Sequence, residues 1–313
     1  MVNTQLGPCK ASFASRLYRD MKKNWPYYVI FLPALIYLLV YHYYPMYGVQ
    51  IAFRNFVPAR GIWNSRWVGM ANFARFFRSY NSMTIIGNTL RVSVLSLLFG
   101  FPLPIFLAIV VNDLKNRHFK KSLQMISYAP HFISTVAMVG MINVLLANQG
   151  VVNNLIIKAG GTKVDFLSNP TSFIWVYVLF TVWQNTGWNS VIYFSVLAGI
   201  DPQLHEAASI DGASRFKQIL HVDLPSILPT MIVMLILNCG NLMTIGWEMI
   251  YLMQNSLNLS TSEVISTYVY KIGLQNAEYS YSTAVGLFNS VVNLVLIVTV
   301  NTIARKVNNT SLW

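Results

Sequence analysis

The side chains able to do chemistry in this chain are few, and none is arranged for covalent work. No Ser/His/Asp set and no paired carboxylates are visible, and His42, His118 and His131 lack the spacing of metal ligands. There is no G-x-x-x-x-G-K-[ST] phosphate loop, so the chain is not expected to bind ATP itself. Cys9 lies in a basic tail and Cys239 in an apolar run, which gives neither a disulfide framework nor metal spacing. Non-covalent recognition remains. Gln184, Asn185, Trp188 and Asn189 sit together in one apolar run, and Asn238, Asn241 and Glu248 in another. Amides and carboxylates hydrogen-bond hydroxyls, and an indole offers a stacking face; these are the groups a site for a hydroxyl-rich solute needs.

Helical spacing groups them. Gln184 and Trp188 are four apart and share a face, with Asn185 and Asn189 on the adjacent stripe. At about 100° per residue, Asn238, Asn241 and Glu248 fall within an arc of roughly 80°. Polar residues inside spans usually face a protein interior or a wet cavity. Each also has a plainer reading. Amides hydrogen-bond neighbouring helices as glue, Trp188 fits simple packing, and Glu248, beside Trp247, fits a group reaching the membrane interface.

The elements that must position these residues are membrane spans. The chain has 313 residues, 55% apolar and 10% charged, with a mean hydropathy of +0.48. A soluble domain carries about 25% charged residues. Spanning takes about 20 predominantly apolar residues, and six runs qualify: 27–49, 84–111, 124–147, 172–199, 226–249 and 282–304. Lipid offers loose backbone no partner, so each is expected to be helical, and none shows the strict alternation of a β-barrel strand. The expected fold is all-α, a polytopic membrane protein with six transmembrane helices.

Lys22 and Lys23 precede the first run, which is too long for a signal h-region and lacks a small-x-small cleavage site, so it reads as a retained anchor. The net charge of +12 sits mostly between spans, where cations orient the protein and meet anionic lipid; no nucleic-acid partner is implied. Six spans put both termini on one side. With the termini, 112–123 and 200–225 inside, thirteen Lys and Arg lie inside against eight outside, the bias expected of a cytoplasmic face.

One link between the fourth and fifth runs is a polar island. From His205 to Pro225 it reads HEAASIDGASRFKQILHVDLP. Asp201 followed by Pro202 is a helix start. Gly212 permits a sharp bend, 214–221 is expected to form a second short helix, and Pro225 announces the next span. The product is a kinked lever, expected to be rigidly continuous with the spans on both sides. The plainer reading is an ordinary amphipathic loop.

The pattern Glu206-Ala207-Ala208, then Asp211-Gly212, then Val222-x-Leu224-Pro225 resembles the EAA loop of binding-protein-dependent ABC importer permeases, which usually have Ile at the place of Val222. The resemblance implies the type I ABC importer permease fold, with residues 1–24 as a cytoplasmic tail, 25–306 as the transmembrane domain containing the coupling loop 200–225, and 307–313 as a second tail. It also implies that the loop docks on an ATPase subunit. Glu206 would make polar contacts there, Ala207 and Ala208 would allow close approach, and Gly212 would set the angle. Phe216 and Leu220 would anchor the second short helix.

The segment WVGMANFARFF (67–77) and the stretch from Glu263 onward look like the subgroup that imports oligosaccharides and polysaccharide fragments. That likeness points to Gln184, Asn185, Trp188, Asn238 and Asn241 as the substrate path. It implies a bacterial plasma (inner) membrane location with both termini cytoplasmic. It also implies several partners: a second homologous permease subunit, two ATP-binding cassette subunits that use the ATP, an extracellular solute-binding protein, a carbohydrate substrate and membrane lipids. Trp63, Trp67, Phe73 and Phe76 would meet the binding protein. No directly bound cofactor, metal or catalytic residue is implied. Two alternatives stay open: a permease for a peptide, amino acid or phosphate, and an ion-coupled secondary transporter, for which Glu248 is the one acidic candidate deep in a span.

Overall fold

An apolar chain satisfies its backbone polar groups most readily as helix. The computed structural model describes residues 13–308, 311 and 312, and it is mostly helical. Cys9 and the outermost parts of both expected tails lie outside the described residues. Among the described residues the only strands are Arg54–Asn55 and Arg66–Trp67, paired antiparallel. Five helical segments are long and apolar enough to cross a membrane: Asp20–Phe53, Ser82–Asn112, Thr135–Lys158, Arg215–Gly240 and Tyr279–Val307.

The expected runs 27–49, 84–111 and 282–304 fall inside single segments of that set. The fourth run, 172–199, forms one helix, Pro170–Ala198, of 29 residues. At ~1.5 Å per residue its length suffices to span, but Gln184, Asn185 and Asn189 interrupt its apolar surface and it is not among the five.

The third run, 124–147, is cut. Asn116 caps a helix Arg117–Tyr128 by accepting from the His118 and Phe119 amides. A 3-10 turn, Ala129–Phe132, follows around the buried Pro130, and a new helix starts at Thr135. The apolar signal at 124–128 is one face of an amphipathic helix that also carries Arg117, Lys120 and Lys121. Pro130 supplies no N–H to continue it.

The fifth run, 226–249, is also broken. Its helix Leu224–Gly240 ends, residues 241–246 turn, and a separate helix Trp247–Met253 begins. Backbone turns pair the Asn241, Leu242 and Thr244 amides, and Asn293, on the last helix, takes up the Met243 amide. Its Oδ1 accepts from the Met243 amide at 2.9 Å, and its Nδ2 donates to Thr244 Oγ1 at 2.9 Å. The run looked continuous in sequence because Leu242, Met243 and Ile245 are apolar, and Met243 and Ile245 are indeed buried. Asn238, Asn241 and Glu248 therefore do not share one helix face, because the break re-aims the chain before Glu248.

The helix Pro170–Ala198 is the axis of the bundle. Phe173, Tyr177 and Val182 pack with Val92, Ile142 and Ile250 toward one end. Tyr193 and Leu197 pack with Ala108, Val111 and Ile227 toward the other. The apolar window of the first segment, Asp20–Phe53, has none of its residues buried, while the end of the segment, Tyr47–Phe53, packs against the last helix and buries Ala52. At Gly187 the axis helix comes so close to the Arg117–Tyr128 helix that any Cβ would collide with the Ser127 carbonyl.

Close approach through small residues is how helices pack inside membranes. Gly187→Ala is therefore expected to destabilise the bundle by about 1–3 kcal/mol, the usual cost of overpacking. Gly286→Ala, where a Cβ meets nothing within 4 Å, is expected to be neutral. Thermal melts of the two detergent-purified variants check this: equal melting temperatures would contradict the packing role of Gly187.

Candidate functional site

Two regions gather the sequence-derived residues. The first is the polar island. The Asp201 carboxylate accepts from the Gln203 amide at 2.9 Å and Pro202 takes the first turn, which starts the helix Pro202–Ile210. Gly212 then adopts φ +73°, a backbone that residues with a Cβ resist. No atom lies within 4 Å of where a Cβ would stand, so conformation and not crowding demands glycine there.

The chain resumes as Arg215–Gln218 and a π-helical turn Ile219–Asp223. It runs without interruption into Leu224–Gly240, with Pro225 in the first turn. The expected separate helix over 214–221 is thus the start of the next span. The lever is continuous with that span alone, because between Ala198 and Pro202 the chain turns at Gly199 and Ile200.

The outer surface of the lever is available. Glu206, Ala207, Asp211, Gly212 and Pro225 are exposed, and Ala208 and Leu224 are half-buried. Ile210 is 87% and Phe216 73% exposed. Two bulky apolar side chains presented this way beside a carboxylate form a docking face more readily than a solvated loop.

Behind this face is a polar brace that sequence reasoning missed. Asp223 is 1% exposed. Its carboxylate meets His205 Nε2 at 3.2 Å and Arg215 Nη2 at 3.5 Å. Arg215 Nε also donates to Asp113 Oδ1 at 2.6 Å, just past the end of the second spanning segment. Gln218 accepts from Arg215 and donates to Ser209 Oγ at 3.0 Å. The brace joins both arms of the kink to each other and to the second span. The sequence signal was an Asp and an Arg two helical turns apart in a segment about to become apolar.

The second region is a cavity of about 280 Å³ near the middle of the axis helix. It lies between that helix, the helix Ser82–Gly100 and the break at 241–246. Asn185, Asn189, Asn238, Asn241, Thr244 and Ser96 supply polar groups to its wall, and among the described residues no Asp, Glu, Lys, Arg or His lines it. Asn238 Nδ2 donates to the Met234 carbonyl and Asn241 Nδ2 to the Leu237 carbonyl, each one turn back. Asn185 Nδ2 does the same with Thr181. The hydroxyls of Ser93 and Ser96 are buried without a hydrogen-bond partner among the described residues. Short hydroxyls are unremarkable in an apolar run, so these serines and Thr244 did not stand out in sequence.

The structure brings Asn185, Asn189, Asn238 and Asn241 together in this wall and leaves Gln184, Trp188 and Glu248 outside it. Gln184 Nε2 donates to the Ile133 carbonyl at 2.9 Å, an interhelical bond. Trp188 stacks on His131 at 4.7 Å and meets the edge of Phe132. Glu248 is exposed on the helix beyond the break.

At the far end of the bundle from the lever, Gly69 turns with φ +57°. Asn72 Nδ2 donates to the Ala52 and Arg54 carbonyls. Trp63 and Trp67 are exposed beneath the Arg54 guanidinium, 5.9 and 5.5 Å from its carbon. Phe73 leans on Phe53. Phe76, expected as a surface contact, is 1% exposed and packs with Ile85, Met243 and Val285; helix periodicity turns it inward.

Comparison with known proteins follows from these features. Residues 100–309 match the family described as binding-protein-dependent transport system inner membrane component. The chain is 40% identical to protein LplB of Bacillus subtilis (strain 168) over 303 residues, 96% of this chain and 94% of that one. It is 41% identical to the polygalacturonan/rhamnogalacturonan transport system permease protein YteP of the same organism, covering 89% of this chain and 87% of that one. Among solved structures it superimposes with a TM-score of 0.87 and 38% identity on a chain of a bacterial alginate ABC transporter in complex with an alginate pentasaccharide-bound periplasmic protein. That match covers 95% of this chain and 100% of the other.

Removing the centre of the brace tests its role in holding the kink. Asp223→Ala is expected to speed amide hydrogen exchange across 202–218 on the order of tenfold, about 1.4 kcal/mol. That is less than for a wholly buried pair, because Arg215 reaches solvent. Lys217→Ala, on the exposed side, is expected to change nothing. Unaltered exchange in the Asp223 variant would show that backbone geometry alone sets the kink.

Proposed function

The chain belongs to the binding-protein-dependent transport system inner membrane components, and we propose that it is a transmembrane subunit of an ATP-driven importer through which a carbohydrate, an oligosaccharide, crosses the bacterial plasma membrane. The observation that carries this reading is the uncharged cavity at the break in the fifth run, where amides and unpaired hydroxyls converge near the midpoint of the bundle. Transporters place substrate at the midplane, beside discontinuous helices. A wall of amides and hydroxyls suits a polyol better than an ion or a charged amino acid. The relatives support the class: YteP is named for polygalacturonan and rhamnogalacturonan transport and the structural neighbour for alginate.

In this reading the axis helix Pro170–Ala198 also crosses the membrane, giving six crossings with both termini in the cytoplasm. The lever lies on the cytoplasmic side. Two ATP-binding cassette subunits grip it there, with Glu206, Ala207, Ala208 and Asp211 at the contact and the apolar Ile210 and Phe216 alongside. A second, similar permease closes the other wall of the path, and an extracellular binding protein delivers the sugar near Trp63 and Trp67. The chain binds no cofactor and catalyses nothing; the ATPase is a separate chain. Closure of the ATPases moves the lever, and Arg215 passes the movement both to the fifth run and, through Asp113, to the second span, which carries Ser93 and Ser96.

Two variants separate drive from path. Proline fixes φ near −65°, against +73° at Gly212. Gly212→Pro is therefore expected to leave the chain inserted while abolishing carbohydrate-stimulated ATP hydrolysis in the assembled complex. Asn241→Ala is expected to keep coupling but raise the half-saturating sugar concentration by up to about tenfold, the worth of one neutral hydrogen bond. Uptake and ATPase assays on the reconstituted complex read both. Wild-type coupling with Gly212→Pro would refute the docking role, and stimulation by amino acids but by no sugar would refute the substrate class.

A further inference from the structure

Resting on that carbohydrate reading, we infer a second subsite at the end of the bundle away from the lever: a pocket that takes the carboxylate of an acidic sugar unit. The helix Ala71–Arg78 has two opposed faces. At about 100° per residue, Phe73, Phe76 and Phe77 fall on one side, and Ala71, Ala74, Arg75 and Arg78 on the other. On the phenylalanine side Phe76 is buried among Met243, Ile265 and Tyr281, and the exposed Phe77 meets the edge of Phe288. The other side opens on a pocket of about 600 Å³, lined also by Ser79, Tyr268, Ile272 and Tyr281. That volume lies in the range of small-ligand sites, and the two alanine methyls leave it unfilled.

Charge gives the pocket its chemistry. Arg75 is already held: its Nη1 lies 2.6 Å from Glu278 Oε2, its Nη2 donates to Glu278 Oε1 at 3.2 Å, and its guanidinium carbon stands 4.4 Å from the centre of the Tyr281 ring. Arg75 and Glu278 together are neutral. Arg78, one turn on, is exposed and has no ion pair among the described residues, so the pocket carries one uncompensated guanidinium. Beside it the Tyr268 and Tyr281 hydroxyls lie 3.1 Å apart. A guanidinium fork matches a carboxylate in geometry as well as charge, and phenol and serine hydroxyls suit the ring hydroxyls of the same sugar unit.

The central cavity sharpens the assignment. It has no cation in its wall, so a sugar carboxylate finds no counter-charge there. The geometry divides recognition: the outer pocket reads the acid and the central cavity reads hydroxyls. A lipid phosphate offers the same anionic chemistry to Arg78, and the test must separate the two.

The test uses the assembled complex in nanodiscs of zwitterionic lipid, with trigalacturonate and trimannuronate as probes and their methyl esters as neutral isosteres, read by calorimetry at low salt. The expected result is that at least one acid binds and its ester binds on the order of tenfold more weakly, as for loss of one charge-assisted contact. Arg78→Gln is expected to reduce the acid to the affinity of the ester, and Arg78→Lys to keep part of the difference. Equal binding of acid and ester, no binding of either acid, or an unchanged Arg78→Gln variant would overturn the subsite. So would Arg78-dependent retention of phosphatidylglycerol in native mass spectra, with acid binding lost in discs containing that lipid. If Arg78→Gln changes nothing while Asn241→Ala still weakens carbohydrate stimulation, the subsite falls and the importer reading stands. If no acidic or neutral oligosaccharide stimulates the complex, the importer reading itself fails.

Discussion

The constraint behind this structure is that a polar group inside an apolar bundle must find its partner in the protein. Asn293 shows it at work. The helix Leu224–Gly240 stops, and the freed Met243 amide and Thr244 hydroxyl are taken up by one side chain on the last helix. Without that clamp the buried Met243 amide would be left unpaired, in a region where such a group costs several kcal/mol. With it the break persists, and the break is what opens space for the cavity. The same constraint favours helix elsewhere among the described residues and gathers His205 and Arg215 around the buried Asp223 carboxylate.

The lever and the cavity are coupled by construction. One arm of the lever is the first turns of the helix that carries Asn238 and Asn241. The other arm is fastened through Ser209 and His205 to Gln218 and Asp223 on the first arm. Arg215 then reaches Asp113, at the end of the segment whose middle carries Ser93 and Ser96. A displacement of the lever is therefore felt on two of the three walls of the cavity. The third wall, the axis helix, is pinned at Gly187 against the Ser127 backbone, which makes it the natural stator. A chain turn at Gly199 and Ile200 separates that helix from the lever, as such a division of labour requires.

Sequence showed the helical class, the kink at Gly212 and four of the amides now found in one wall, because periodicity, apolarity and turn chemistry are local properties. Its failures have local causes too. The run 226–249 stayed apolar through its break, and nothing in residues 241–246 reveals that Asn293, some fifty positions later, would sustain a turn there. The run 124–147 hid a cut because the amphipathic end of one helix abuts the apolar start of another. Gln184 and Trp188 share a face, as their spacing required, but that face meets Ile133 and His131 and not the cavity. Periodicity fixes which residues point together; it does not say at what. The brace was illegible because Asp113 and Arg215 are a hundred positions apart.

Three of the four amides that reach the cavity have a property that only coordinates reveal. Asn185, Asn238 and Asn241 each donate to a carbonyl one turn back in their own helix. A helix carbonyl has a second lone pair, so this donation engages one of the two amide N–H groups without breaking the helix. On Asn238 and Asn241 the side-chain oxygen has no hydrogen-bond partner among the described residues, while Asn185 Oδ1 lies 3.2 Å from His131 Nδ1. Sugar hydroxyls are donors as well as acceptors, so such a wall can take hydroxyl protons while the Ser93 and Ser96 hydroxyls turn to suit whatever faces them. Uncharged acceptors also bind weakly, each contact contributing about 1 kcal/mol. A translocation path needs that weakness: a site that held its sugar through buried charge would load readily and release slowly. On the proposed function, the uncharged central cavity and the uncompensated Arg78 of the outer pocket would be two parts of one arrangement, attraction where substrate is collected and low affinity where it must move on.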